Sequence, residues 1–308
     1  MALNWDQITG ITSKYFIPKL VDNIFTSNPV LFRLYKKGMK LTGGTKILAP
    51  VIYAATSAAG SYTGSGALTI TDNEQITSAE FDWKQYYANI TITGLDELKN
   101  SGKEAIINFV KSKVQIAEMS LKSAMGTDLY GDGTGGTNTA LTGLKLAVDS
   151  TGTYGTIARG TYTWWAAQED STTTTTSTAN MQTMWGLCSI DNDVPTIITT
   201  TQSIFNRFFN ELTPQQRYTS DDDIGKAGFK NLMFNSAPVV VDSKCDANYM
   251  YFLNENYLEL ATHKDCNFRF EPFIKPTDSD VKIAKIFWAG NLVCSNCRMQ
   301  GKFTGLTA

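Results

Sequence analysis

Hydrophobic and polar positions change rhythm several times along this chain. Over residues 47–53, Ile47, Ala49, Val51 and Tyr53 alternate with Leu48, Pro50 and Ile52, which predicts an extended strand, placed at an edge by Pro50. A stretch rich in Ala, Ser, Gly and Thr follows from Ala54 to Thr71, and the pattern returns at Glu80-Phe81-Asp82-Trp83-Lys84. After Gln85-Tyr86-Tyr87 the apolar phase slips by one residue to Ile90 and Ile92, as a β-bulge inside one long strand would require. The whole of 47–93 then reads as a two-stranded excursion with a small-residue tip, reaching on the order of 50 Å if each side holds about 15 residues. An isolated hairpin is barely stable in water, so such an arm implies a partner surface, most simply another copy of the chain.

Beyond it the period changes from two to three or four. Ser101 and Glu104 fit a capping box, and Ile106, Val110, Val114, Ala117, Leu121 and Ala124 form one apolar face, predicting a helix over 102–125 that Gly126 ends. Residues 131–161 are rich in Gly and Thr and read as a long loop, with Trp164 and Trp165 re-entering the core. The Ser/Thr tract 171–178 reads as surface. From Asn180 onward, helical spacing (Met181, Met184, Trp185, Cys188; Ile204, Phe205, Phe208, Phe209, Leu212) is interleaved with short strands near 194–200, 232–234, 238–242, 250–253 and 258–262. The acidic run 221–223 reads as solvated loop, and a last apolar stretch covers 281–293. Short strands among helices, without a repeat, define an α+β class.

Charge adds one feature. The first 46 residues carry seven lysines and arginines (Lys14, Lys19, Arg33, Lys36, Lys37, Lys40, Lys46) against Asp6 and Asp22, while the 308-residue chain balances 27 basic with 29 acidic residues. This segment reads as a basic arm that docks on something, or as an ordinary solvated terminus. Near-neutral charge argues against a DNA-coating protein, whose affinity rests on neutralising many phosphates. The N-terminus lacks the pattern of a secretory leader and no stretch has the length of a membrane span, so the chain reads as soluble and cytoplasmically made.

Candidate chemistry is sparse. With a single histidine, His263, no centre of two or three imidazoles forms within one chain. Gly131-Asp132-Gly133-Thr134-Gly135-Gly136 has the letters of a dinucleotide fingerprint, but it follows a helix and opens a loop, where the site needs a strand before and a helix after. Cys294-Ser295-Asn296-Cys297 has redox or zinc spacing, yet no second such pair exists, and cysteines incidental to a strand fit better. The carboxylate pairs Asp96-Glu97 and Asp191/Asp193 come with no acid–base partner in the sequence. No catalytic constellation, metal site or cofactor emerges.

The order of parts resembles the HK97-type major capsid protein of tailed bacteriophages. Local strings similar to one branch of that family are Asn28-Pro29-Val30-Leu31, Phe81-Asp82-Trp83-Lys84-Gln85-Tyr86-Tyr87, the Tyr-Trp-Trp segment within 161–165, and Gly290-Asn291-Leu292-Val293-Cys294-Ser295-Asn296. The resemblance implies an N-arm (1–46), an E-loop hairpin (47–93), a peripheral P domain (94–178) with its spine helix and glycine loop, an axial A domain (179–280), and a strand (281–308) returning to the P domain. It implies a non-catalytic subunit that forms pentamers and hexamers and closes an icosahedral shell around double-stranded DNA. Scaffolding, portal or decoration proteins are further partners, and the location is the virion capsid after assembly in the host cytoplasm. Tyr53, Phe81, Trp83, Tyr86 and Tyr87 are the expected inter-subunit contacts, and Lys14, Lys19, Arg33, Lys36 and Lys37 an internal basic arm. No long segment precedes the arm, so a fused scaffolding domain is not expected, and nothing identifies a covalent Lys–Asn cross-link. An encapsulin-like compartment shell is the alternative on the same fold, with a nucleotide-dependent enzyme and an extracellular adhesin behind it.

Overall fold

A computed structural model of the chain describes residues 28–71, 73–99, 103–212, 232–277 and 279–307. Lys14, Lys19, Ser101 and the acidic run 221–223 lie outside the described residues.

Helix α1 (Pro29–Lys37) starts where the sequence places it. Asn28 Oδ1 accepts the Leu31 N–H at 3.1 Å, and Pro29 takes the first helical position, where a missing N–H costs nothing. Its apolar side, Val30, Leu31 and Leu34, is buried. The chain then enters β1 (Lys40–Leu41) and a separate hairpin, β2 (Ile47–Ile52) against β3 (Ile76–Phe81), in register from Ile47 opposite Phe81 to Ile52 opposite Ile76.

The next strand, β4 (Lys84–Thr93), leaves the hairpin. It pairs along its full length with β14 (Val281–Cys294), from Lys84 opposite Gly290 to Thr93 opposite Val281. The phase slip expected after Tyr87 is not inside β4, which alternates without a break from Lys84 to Thr93. The phase changes at Asp82-Trp83 instead, where the chain changes sheet, because successive strands with different partners reset which side faces a core. The hairpin proper is shorter than the sequence suggests: six paired residues a side, about 20 Å.

On the other edge of β14 lie β12 (Leu258–His263) and β13 (Arg269–Ile274), and β1 extends the sheet parallel to β12. The long helix α2 (Lys103–Leu129) packs on β4. Its 27 residues make a rod of about 40 Å. Val110, Val114, Ala117 and Leu121 are buried as the periodicity predicts, whereas Ala124 is exposed and the buried face continues through Met125 and Leu129. Gly126 does not stop the helix. A Cβ there would stand 2.8 Å from Asn28 Nδ2, so the glycine admits the cap of α1 against the rod.

The loop after α2 carries a small ladder, β5 (Thr153–Tyr154) with β6 (Ile157–Ala158), and leads into β7 (Gln168–Asp170). A second sheet follows in the order β7, β15 (Gly301–Phe303), β11 (Met250–Leu253), β8 (Ile197–Thr200), β10 (Ala237–Val241), β9 (Leu232–Phe234). Helices α3 (Thr178–Leu187) and α4 (Gln202–Glu211) pack on it, burying Met181, Met184, Ile204 and Phe208 with Phe252 and Phe303 in a core of their own. The C-terminal segment thus divides: β14 belongs to the first sheet, and β15 belongs to the second.

Candidate functional site: surfaces for assembly

The hairpin has two apolar faces with different fates. On the inner face, Ile47, Ala49, Val51, Ala79 and Phe81 join the main core. Phe81 is 4% exposed and meets the Tyr154 ring edge-on at 5.0 Å, while the Glu80 N–H donates to Gly155 O at 3.0 Å. On the outer face Leu48 is 61%, Ile52 77% and Ile76 68% exposed. Beyond them the tip presents Tyr62, Leu68 and Ile70 to solvent. Scattered exposed hydrophobics are ordinary; a contiguous apolar face on a two-stranded ribbon marks an interaction surface.

The ladder also sets which backbone groups face outward. Tyr53 N–H donates to Gln75 O at 3.0 Å. Antiparallel alternation then turns the backbone groups of Leu48, Pro50 and Ile52 to the outer edge of β2. Pro50 brings no N–H to that edge, which blunts strand addition there. The other edge, on β3, is engaged at Glu80 by Gly155. Side-chain packing on the outer face is the route left for a partner.

A second surface lies where β4 meets α2. Tyr87, Asn89, Thr91, Ile116, Ser120 and Ala124 line a groove of about 390 Å³. Tyr87 is 68% exposed beside it, and Ile116 and Met119 project from the helix into solvent.

Four of the five expected contact aromatics are occupied within their own chain. Phe81 is core. Tyr53 stacks on Trp164 at 5.3 Å. Trp83 donates its indole N–H to Gly44 O at 2.9 Å and meets His263 edge-on. Tyr86 donates to Asp128 Oδ2 at 2.6 Å and accepts the Leu141 N–H at 2.8 Å; burial and the Asp128 hydrogen bond raise its phenol far above the ordinary value. Tyr87 alone of the five is freely presented. The residues that the pattern of alternation did not single out, Leu48, Ile52 and Ile76, carried a signal: 47–53 is apolar on both faces of its alternation.

The basic arm is also largely committed where it is described. Arg33 binds Glu255 with two hydrogen bonds of 2.7 and 2.6 Å, and Lys37 Nζ donates to Asn256 Oδ1 at 3.0 Å. Lys36 is exposed. The glycine loop turns back on the molecule: Leu141 N–H binds Tyr86, and Thr142 N–H binds Asn291 Oδ1 at 3.0 Å. Gly143 lies so close to the end of α2 that a Cβ would stand 2.4 Å from Asp128 O. These two amides serve the fold and do not face a phosphate. Among the described residues, no group of three or more His, Cys, Asp or Glu is placed to hold a metal, and no helix is long and apolar enough to cross a membrane.

A hairpin standing off a sheet that carries a long helix, joined to a second sheet with its own helices, is the HK97-type capsid fold. The chain is similar to the capsid protein of cyanophage A-1(L), at 19% identity and a TM-score of 0.69 over 91% of this chain and 93% of that one. It is similar in fold to the encapsulin of the holo-SrpI complex from Synechococcus elongatus (8% identity, TM-score 0.59, 91% and 89% of the two chains). The capsid of the native GTA particle is a further structural match (12%, 0.60, 89% and 90%). No protein-family model and no curated protein matches the sequence.

Proposed function

We propose that the chain is the structural subunit of an icosahedral phage head, self-assembling as pentamers and hexamers that enclose double-stranded DNA. The observation that carries this reading is the outer hairpin face: Leu48, Ile52 and Ile76 form an apolar surface that the described residues leave uncovered, on a fold shared with capsid proteins. A ring of copies needs two different surfaces on each subunit, one to offer and one to receive. The hairpin face and the groove between β4 and α2 supply such a pair, and many modest contacts summed around a closed shell give stability. In this reading the E-loop, expected over 47–93, is drawn back to 47–81 because β4 joins the first sheet, and α2 is the spine helix. The first sheet, with β12 and β13 moved into it from the expected A domain of 179–280, is the P domain, and the second sheet is the A domain. The role is non-catalytic. Scaffolding, portal and decoration proteins are the expected further partners, with assembly in the host cytoplasm.

An encapsulin-like compartment is the second reading, favoured by the likeness to the Synechococcus elongatus shell. Cryo-electron microscopy of the purified protein, with and without a crowding agent, tests both. Closed shells or rings of five and six support assembly, and DNA or protein inside separates the two readings. Single subunits under every condition, with a matching scaffold co-expressed, count against both.

A further inference from the structure

Arg159 is buried, and its charge has an unusual answer. The guanidinium donates to four carbonyl oxygens, those of Leu146 (3.0 Å), Ala147 (2.8 Å), Thr151 (3.1 Å) and Trp165 (3.4 Å). It also lies over the Tyr154 ring, 5.2 Å from the centroid. Among the described residues no carboxylate pairs with it. Its remaining contact is Nη2 to Cys297 Sγ at 3.7 Å. A buried cation in apolar surroundings demands a countercharge, and carbonyl dipoles supply only part of one.

We propose that Cys294 and Cys297, with Arg159 set against the Cys297 sulfur, form a redox-sensitive latch on segment 146–165. Both sulfurs are buried at the end of β14, and the Cys294 N–H donates to Tyr154 Oη at 3.1 Å, so both cysteines, Arg159 and Tyr154 form one cluster. Burial by itself raises the Cys297 thiol, but the Cys294 hydrogen bond and the Arg159 charge outweigh it and bring the group below its ordinary value. Cys294 moves upward, by burial and by the hydrogen bond it shares with Cys297.

The chemistry uses a peroxide as oxidant. The Cys297 thiolate attacks one peroxide oxygen, the O–O bond breaks, and hydroxide leaves, giving a sulfenic acid. The Cys294 thiol then displaces the sulfenic hydroxyl as water, losing its proton in the same step, and the S–S bond forms. Two electrons pass to the peroxide. Cys297 Sγ, now bonded to Cys294, is a poorer acceptor for Arg159, so the arginine loses that contact and its segment loosens. That segment carries Tyr154 and Gly155, which hold Phe81 and Glu80 at the hairpin base. Because the Arg159 charge stabilises the reduced form, the dithiol is the resting state and the disulfide is easily reduced. Any bearing on shell assembly rests on the function proposed above; the latch itself is a property of one subunit.

Hydrogen peroxide added to the full-length protein tests this by peptide mass and amide exchange. The expected result is a Cys294–Cys297 peptide lighter by two hydrogens, and exchange at residues 146–165 and 76–81 faster by about tenfold. Dithiothreitol reverses both. In Cys294→Ser the reaction stops at a Cys297 sulfenic acid that dimedone traps. Cysteines 294 and 297 remaining free thiols while Cys266 oxidises would overturn the proposal, as would a disulfide that leaves exchange unchanged. Both readouts work on single subunits, so they distinguish failure of the latch from failure to form shells.

Discussion

Strands β2 and β14 are both rich in apolar residues, yet they solve opposite problems. Strand β14 has neighbours on both edges, and its second half is buried on both faces. Strand β2 alternates strictly between buried and exposed, with one edge interrupted by a proline and a hydrophobic outer face in solvent. The first completes its burial among the described residues; the second leaves its outer face uncovered by them, the face assigned above to a neighbouring copy. Apolar content alone does not separate a core strand from a docking strand. What separates them is whether the same chain provides a cover for each face.

Substitutions can break this comparison in order of their effect on the single subunit. Phe81→Ala, on the inner face, is expected to destabilise the subunit by about 3–5 kcal/mol in a denaturant titration, as large-to-small changes in well-packed cores do. A loss below about 1 kcal/mol would place Phe81 with the docking residues instead. Arg33→Ala strips Glu255 of its bidentate partner. Its expected cost is about 1–2 kcal/mol, less than for a fully buried pair because the Arg33 side chain is 40% exposed.

Just past the end of β14, the Cys297 thiol faces Arg159, Cys294 and Tyr154, and its acidity is greater folded than unfolded. Stability from such a group is complete above the ordinary thiol value of 9.0 and is lost as pH falls from there toward the lowered folded value. Wild-type melting temperature should therefore rise with pH over that window, and Cys297→Ser should flatten the rise. The smallest effect is expected from Ile52→Lys combined with Ile76→Asp, opposite charges at directly paired positions. Subunit stability should stay within about 0.5 kcal/mol, since both side chains are already in water.

The sequence made the long elements legible and left their partners hidden. Helix α2 announces itself by its three-and-four spacing, and α1 by Asn28-Pro29. Gly126 misleads because glycine serves close packing as well as termination, and only the approach of Asn28 tells which. The phase change read after Tyr87 falls at Asp82-Trp83 in the structure, and a bulge and a change of sheet leave the same trace in a sequence. Tyr86 and Trp83 look like docking aromatics until Asp128 and Gly44, far away in sequence, take up their polar atoms. The outer face was legible in principle from Leu48 and Ile52. Arg159 was not, because a lone arginine in a glycine- and threonine-rich loop carries no pattern, and the sulfur it meets, that of Cys297, sits more than a hundred residues away.

The central claim is that the outer hairpin face joins one copy to the next, and side-by-side cryo-electron microscopy of wild type and the Ile52→Lys/Ile76→Asp variant tests it most directly. Rings or closed shells are expected from wild type, and single, fully folded subunits from the variant. Closed shells from the variant at the same concentration would contradict it.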